Sequence, residues 1–194
     1  MAIFGLDFTS VERYLESYGA YIVRQAESRL NRRKVSGALR NSLRYKLIKN
    51  KDGYVLMFLS NRYGEFINKG VSGTQVVRSF IDKDGKRRTS PHKYTTKQPP
   101  IFAIERFIKQ AGIKGRSKGT RYVKKDGTVK YYGRGRFISN RSLAFIFAKS
   151  IKRKGIRAAS FYTQPLSYSY KVFKKEMLKN FRQDVLKEIK LFTK

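Results

Sequence analysis

Between residues 167 and 193 apolar side chains recur at intervals of three and four: Tyr170, Phe173, Met177, Phe181, Val185, Ile189 and Phe192. That interval is the period of one face of an α-helix. The stretch therefore predicts a rod of about 40 Å at about 1.5 Å per residue, and this long element constrains the fold more than any other. Lys171, Lys174, Lys175, Lys179, Lys187 and Lys190 fall on the opposite side. Two readings fit them: the solvated face of a core helix, or a face that docks on something acidic. Upstream, Leu143 to Ile151 reads as another helix, with Asn140 as its cap and Gly155 past its end. Ile156 to Leu166, with Pro165 near its end, links the two helices.

At the other end, Val11, Leu15, Tyr18, Ile22, Ala26 and Leu30 mark one face of a helix reaching about Arg33. Thr9 with Glu12 three residues on predicts a capping box at its start. Arg29, Arg32, Arg33 and Lys34 crowd its last turn, where cations complement the helix dipole. Ser36 is read as the cap of a short helical turn. Arg44 to Ile48 and Tyr54 to Ser60 read as strands joined by Asn50-Lys51-Asp52-Gly53, a hairpin signal. Tyr63 to Thr74 reads as a strand or helical turn entering a glycine-rich loop. Pro99 and Pro100 open a short amphipathic helix through Ile101, Ile104, Phe107, Ile108 and Ala111, with Gly112 just past its end.

These elements predict an α+β fold: long N- and C-terminal helices packed on a small antiparallel sheet. One domain is expected over residues 1–194, with elaborations at about 75–98 and 114–139. Each elaboration reads as a basic hairpin. The first turns at Asp82-Lys83-Asp84-Gly85, the second at Lys124-Lys125-Asp126-Gly127.

The formal net charge is +32 and is unevenly spread. Residues 1–74 carry 13 basic and 6 acidic groups, residues 75–140 carry 18 and 4, and residues 141–194 carry 14 and 3. So basic a chain repels itself unless it meets a polyanion or an acidic partner. Cysteine is absent, which excludes disulfides and fits a reducing cytoplasm or a redox-indifferent particle. No signal peptide is read in Met1 to Phe8, and no apolar run approaches the ~18 residues of a membrane span.

Little points to catalysis. His92, the only histidine, stands between Pro91 and Lys93 and reads as a loop residue. Glu65 is isolated in sequence from any second titrating group of the kind acid–base chemistry needs. Neither a phosphate loop nor a dinucleotide fingerprint is present, because Gly119-Thr120 lacks the lysine that a Walker motif requires. The carboxylates are dispersed over turns and helices. No catalytic residue, cofactor or metal is assigned. Basic residues interleaved with aromatics, as in Arg121-Tyr122-Val123-Lys124-Lys125 and Lys130-Tyr131-Tyr132-Gly133-Arg134-Gly135-Arg136, fit two readings. Either the tyrosines and cations bind nucleic acid, or the tyrosines pack as cross-strand pairs. Both hold if the hairpin lines a channel through which DNA passes. The candidate contacts with DNA or an acidic partner are Arg87, Arg88, Lys124, Lys125, Lys130, Arg134 and Arg136.

The order of motifs resembles the head–tail connector or tail-completion family of tailed bacteriophages. Ser36-Gly37-Ala38-Leu39-Arg40-Asn41-Ser42-Leu43 is similar to that family's Thr-Gly-x-Leu-Arg-x-Ser-hydrophobic signature, with Ser in place of Thr. Tyr63-Gly64-Glu65-Phe66-Ile67-Asn68-Lys69-Gly70 is similar to its tyrosine-to-glycine segment, with Asn68 where Glu is common. Pro99-Pro100-Ile101 to Gly112-Ile113, and Leu143 to Ile156 followed by Phe161, Pro165 and the last helix, resemble its C-terminal half. The resemblance covers most of residues 8–74 and 97–192. It implies an α+β subunit of a homo-oligomeric ring in the virion neck, assembled in the host cytoplasm. Such a ring joins the portal or adaptor to tail or adjoining neck proteins and surrounds the DNA channel. The alternative expectation is a sequence-independent nucleic-acid-binding protein. A ring of chains this basic needs acidic neighbours or DNA to offset its charge.

Overall fold

The structure is a computed structural model and describes residues 8–32, 37–50, 53–133 and 135–192. The expected Ser36 cap, the Arg33 and Lys34 pair and the Lys51-Asp52 turn lie outside the described residues, as does Arg134. The fold is α+β: six helices and three antiparallel two-stranded sheets among the described residues. Two compact units are distinguished, one of residues 1–71, 78–92 and 157–194, the other of residues 72–77 and 93–156.

In the first unit α1 (Thr9–Arg32) buries Val11, Leu15, Tyr18, Ile22, Ala26 and Leu30, the face predicted by spacing. Its partners are the short helix α2 (Gly37–Arg40), which buries Leu39, and the hairpin of β1 (Arg44–Asn50) and β2 (Gly53–Leu59). The hairpin register runs from Arg44 opposite Leu59 to Asn50 opposite Gly53. It lies so close to α1 that a Cβ on Gly19 would stand 2.5 Å from Cδ2 of Tyr45. Leu39, Leu43, Ala159, Phe161 and Tyr162 complete the core, and Leu56, Phe58, Leu166 and Phe173 pack against it.

The stretch after Tyr63 is helical, α3 (Gly64–Lys69). Asn68 is buried there, and its Oδ1 accepts the backbone N–H of Tyr162 at 3.1 Å. Ala159 and Ser160 donate to the carbonyls of Ile67 and Asn68. The first elaboration forms the expected hairpin, with β3 (Ser79–Ile81) paired to β4 (Arg87–Thr89) and Gly85 in its turn.

The last helix, called α6 here because two others intervene, spans Thr163–Phe192. It begins four residues before the predicted start. Pro165 therefore sits inside the first turn, where a missing N–H costs no helical bond. The helix is also rotated from the predicted face. Phe173, Met177 and Val185 are half-buried, but Tyr170, Phe181 and Ile189 are exposed. Polar groups take the inner line instead. Ser169 Oγ lies 2.8 Å from the hydroxyl of Tyr18, and Asp184 is completely buried. Asp184 accepts the N–H groups of Ser10 and Val11 at 3.1 and 2.9 Å. The start of α1 is thus capped from α6. Glu12, expected to close a capping box, turns to the hairpin, where it accepts from the Tyr54 hydroxyl at 3.3 Å and lies 3.7 Å from Lys49 Nζ.

In the second unit α4 (Ile101–Gln110) packs on α5 (Asn140–Lys154) around Ile108, Leu143 and Ala144, with Ile101, Ile104, Ile113, Ile138 and Phe147 against them. Gly112 has φ 64°, donates to Lys109, and is followed by Ile113, which donates to Ile108. This is a Schellman end whose following residue is apolar and joins the core. The cap of α5 is Ser139, not Asn140: Ser139 Oγ accepts the N–H of Ser142 at 3.1 Å. Asn140 lies one residue too late for that bond. At the far end of α5, Thr74 and Gln75 donate to the carbonyls of Lys152 and Arg153 at 2.9 and 3.0 Å. A Cβ on Gly73 would stand 2.1 Å from the Arg153 oxygen. Ser72 bridges to Lys93, and Tyr94 donates to the Ser72 carbonyl at 2.9 Å.

Candidate nucleic-acid interface

The second elaboration is a two-stranded arm in the second unit. Its strands are β5 (Thr120–Val123) and β6 (Val129–Tyr132), paired from Thr120 opposite Tyr132 to Val123 opposite Val129. Pairing continues toward the root, where Arg116 bridges Phe137, Ser117 donates to Arg136 at 2.9 Å, and Ile138 donates to Gly115 at 3.1 Å. The segments around Gly115, Gly119, Gly133 and Gly135 that flank the strands are thus part of the ribbon. Gly119 and Gly135 permit this, because a Cβ on either would stand about 2 Å from a backbone oxygen, that of Tyr132 or Ser117. At the tip Lys124 donates to Thr128 and accepts from Gly127. The Thr128 backbone N–H, bonded to Asp126 at 2.9 Å, and then the Thr128 hydroxyl hold the Asp126 carboxyl below its usual range. From Arg116 to Lys124 the extended leg measures about 30 Å at about 3.4 Å per residue.

Every residue of β5 and β6 is exposed. The register places Thr120, Tyr122, Lys130 and Tyr132 on one face and Arg121, Val123, Val129 and Tyr131 on the other. The rings are engaged within the arm. Tyr122 meets Tyr132 edge-on at 5.9 Å, Lys118 Nζ lies 4.6 Å from the Tyr131 centroid, and Arg116 Cζ lies 4.0 Å from that of Phe137. Among the described residues Arg121, Lys124, Lys125 and Lys130 form no ion pair. Residues 114–136 hold nine basic side chains and one acid.

The seven candidate contacts therefore divide. Lys124, Lys125, Lys130 and Arg136 share the arm. Arg134 lies outside the described residues. Arg87 and Arg88 stand on β4 in the other unit, and Arg88 Nε is held by Asp82 at 2.6 Å. Arg116, Lys118 and Arg121 also belong to the arm and are not among the seven; Arg121 stands in the basic–aromatic run, and Arg116 and Lys118 precede it. Their signal was the alternation Lys114-Gly115-Arg116-Ser117-Lys118-Gly119, a strand period with a cation at every second place.

Glu65 acquires a titrating neighbour that its sequence surroundings do not show. His92 Nε2 stands 3.6 Å from Glu65 Oε1, with its ring 4.6 Å from that of Phe66. Lys69 donates to the same oxygen at 2.9 Å. The Lys69 bond, then its charge, hold the Glu65 carboxyl below the usual carboxylate range. That favours an ion-pair role over proton donation. Among the described residues no group of three or more His, Cys, Asp or Glu could hold a metal ion. Among them, too, no helix is long and apolar enough to cross a membrane.

Apolar side chains are also exposed in the first unit. On α6 Tyr168, Val172, Leu178 and Leu186 face outward, Leu178 with 70% of its surface open. Tyr168 and Val172 join Tyr14, Tyr18, Tyr21, Arg24 and Phe173 in lining a groove of about 400 Å³. No family model, curated protein or solved structure significantly matches the chain.

Proposed function

We propose that the chain is a non-enzymatic structural subunit of the neck of a tailed bacteriophage. In this reading it is a ring-forming head–tail connector or tail-completion protein that joins portal or adaptor to tail and surrounds the DNA channel. The observation that carries the reading is the outer side of α6. A long helix that packs inward on α1 keeps Tyr168, Val172, Leu178 and Leu186 exposed. We read these exposed apolar side chains as the surface that a neighbouring copy covers, and a ring subunit has neighbours on two sides. The order of motifs supports the same reading: the Gly37–Leu43 segment, the Tyr63–Gly70 segment and the closing helix belong to one compact unit, and the Pro99–Ile113 and Leu143–Ile156 segments to the other.

Light scattering on the purified chain tests it. The +32 charge opposes self-association through repulsion that salt screens. The expected result is a discrete closed oligomer that becomes more populated as salt rises. A monomer at every salt and protein concentration overturns the ring.

The second reading is a sequence-independent nucleic-acid-binding protein, favoured by the exposed cationic arm. It requires a monomer that coats DNA at low salt and releases it steeply as salt rises.

A further inference from the structure

The geometry of the β5–β6 arm points to a specific ligand class: duplex nucleic acid, gripped through its phosphates by a ribbon entering the major groove tip first. This deepens the DNA contact in the reading above but does not depend on a ring. Two observations select the duplex over a single strand, and a third bears on how it is held.

The first is the state of the rings. A protein that holds a single strand offers aromatic faces on which successive bases stack. Here Tyr122 and Tyr132 are turned against one another, and Tyr131 and Phe137 each carry a cation over the ring. These contacts engage the rings within the ribbon, while Arg121, Lys124, Lys125 and Lys130 form no ion pair among the described residues.

The second is shape. A two-stranded ribbon fits the major groove, which is about 12 Å wide, and strands about 4.8 Å apart with side chains on both sides fill that width. Arg121 and Lys130 stand on opposite faces of the ribbon, with Lys124 and Lys125 at its tip. Entering tip first, the arm presents a cation to the phosphate wall on either side.

The third is chemistry. Residues 114–136 contain no Asn or Gln, the amides that read adenine, whereas Lys and Arg serve phosphate. The arm therefore lacks the amides of adenine readout and holds chiefly through phosphate, although Arg and Lys also contact guanine. An acidic protein surface would also attract these charges, but it does not require cations on both faces of a narrow ribbon.

The test is fluorescence anisotropy of a short labelled duplex, and of a single strand of the same length, titrated with the full chain over a range of salt. The duplex is expected to bind more tightly, with an affinity that falls steeply with salt. Arg121→Gln, Lys124→Gln, Lys125→Gln and Lys130→Gln together should flatten the log–log salt slope by about 3–4. They should also weaken duplex binding about a hundredfold at low salt, through the same loss of counterion release. A control of equal charge loss at exposed positions of the first unit, Arg13→Gln, Arg32→Gln, Lys46→Gln and Arg62→Gln, should leave the slope unchanged. Arg121→Lys, which keeps the charge, should bind as the parent does. Single-strand binding as tight as duplex binding overturns the inference, as does an equal loss in that control. A closed oligomer that ignores the duplex overturns it while the neck reading stands. A monomer whose duplex binding needs the arm sustains it while the ring fails.

Discussion

The carboxylate of Asp184 accepts the backbone N–H of Val11 at 2.9 Å, joining residues 173 apart in sequence. Its other oxygen takes the N–H of Ser10 at 3.1 Å. One buried side chain near the end of the last helix thus satisfies two of the free donors at the start of the first. A negative charge at a helix N-terminus also opposes the dipole there. Asp184→Ala should cost about 2–3 kcal/mol, since it removes the cap and strands the donors. Asp184→Asn, which keeps one acceptor, should cost about 1 kcal/mol. Urea unfolding midpoints check both, and equal costs would show that the charge and second oxygen contribute nothing.

Two glycines should both resist alanine, for different reasons. Gly112 holds a left-handed conformation in the Schellman end of α4, so Gly112→Ala should cost about 1 kcal/mol through strain. Gly19 lies inside α1, where Ala would ordinarily stabilise. Its Cβ would stand 2.5 Å from the Tyr45 ring, so Gly19→Ala should instead destabilise by about 1–3 kcal/mol. In a Tyr45→Ala background the same change should become neutral or stabilising, and a double-mutant cycle on thermal unfolding measures the reversal.

Alkaline pH should expose Tyr162. Burial first of all pushes its phenol up to about 12 from the ordinary 10.0, and its hydroxyl donates to the Leu59 carbonyl at 2.9 Å. The folded state prefers the protonated form. Its contribution is therefore complete below pH 10 and is lost as pH rises through about 12. Tyr162→Phe should make stability fall less steeply over that window. A phenolate absorbance titration should lose its latest step, and an unchanged late step would refute the assignment.

The outer face of α6 gives a separate test of association. Leu178→Glu and Leu186→Glu change exposed positions, so unfolding stability should shift by less than about 0.5 kcal/mol. Oligomer formation by light scattering should weaken at least about tenfold, because a charge enters a surface that neighbours cover. Unchanged association would place the contact elsewhere.

Short-range pattern made much of this legible. The six apolar positions of α1 are buried as spaced, and both Asp-Gly turns at residues 84–85 and 126–127 join paired strands. Gly112 ends its helix where the Pro–Gly asymmetry predicts. What failed was long-range pairing. Spacing alone ranks Phe181 above Asp184 for the inner line of α6. The polar residue takes it because α1 supplies two donors there. The approach of His92 to Glu65 spans the β3–β4 hairpin and has no local signature. The arm was legible as a hairpin, but its full length was not. Gly119 and Gly135 serve as close crossings of backbone, which no local pattern announces.

The pairing at Ser72, Gly73 and Lys93 has an architectural consequence. Lys93 is bridged to Ser72, and Gly73 lies against Arg153 and Gly155. The stretch from Lys93 to Ile156 therefore leaves and returns at one knot of backbone. A lobe with its two ends tied together can be lost, lengthened or exchanged over generations without rethreading the remaining chain. The cationic arm grows from such a lobe, so its length and charge are free to evolve independently of the framework held by Asp184.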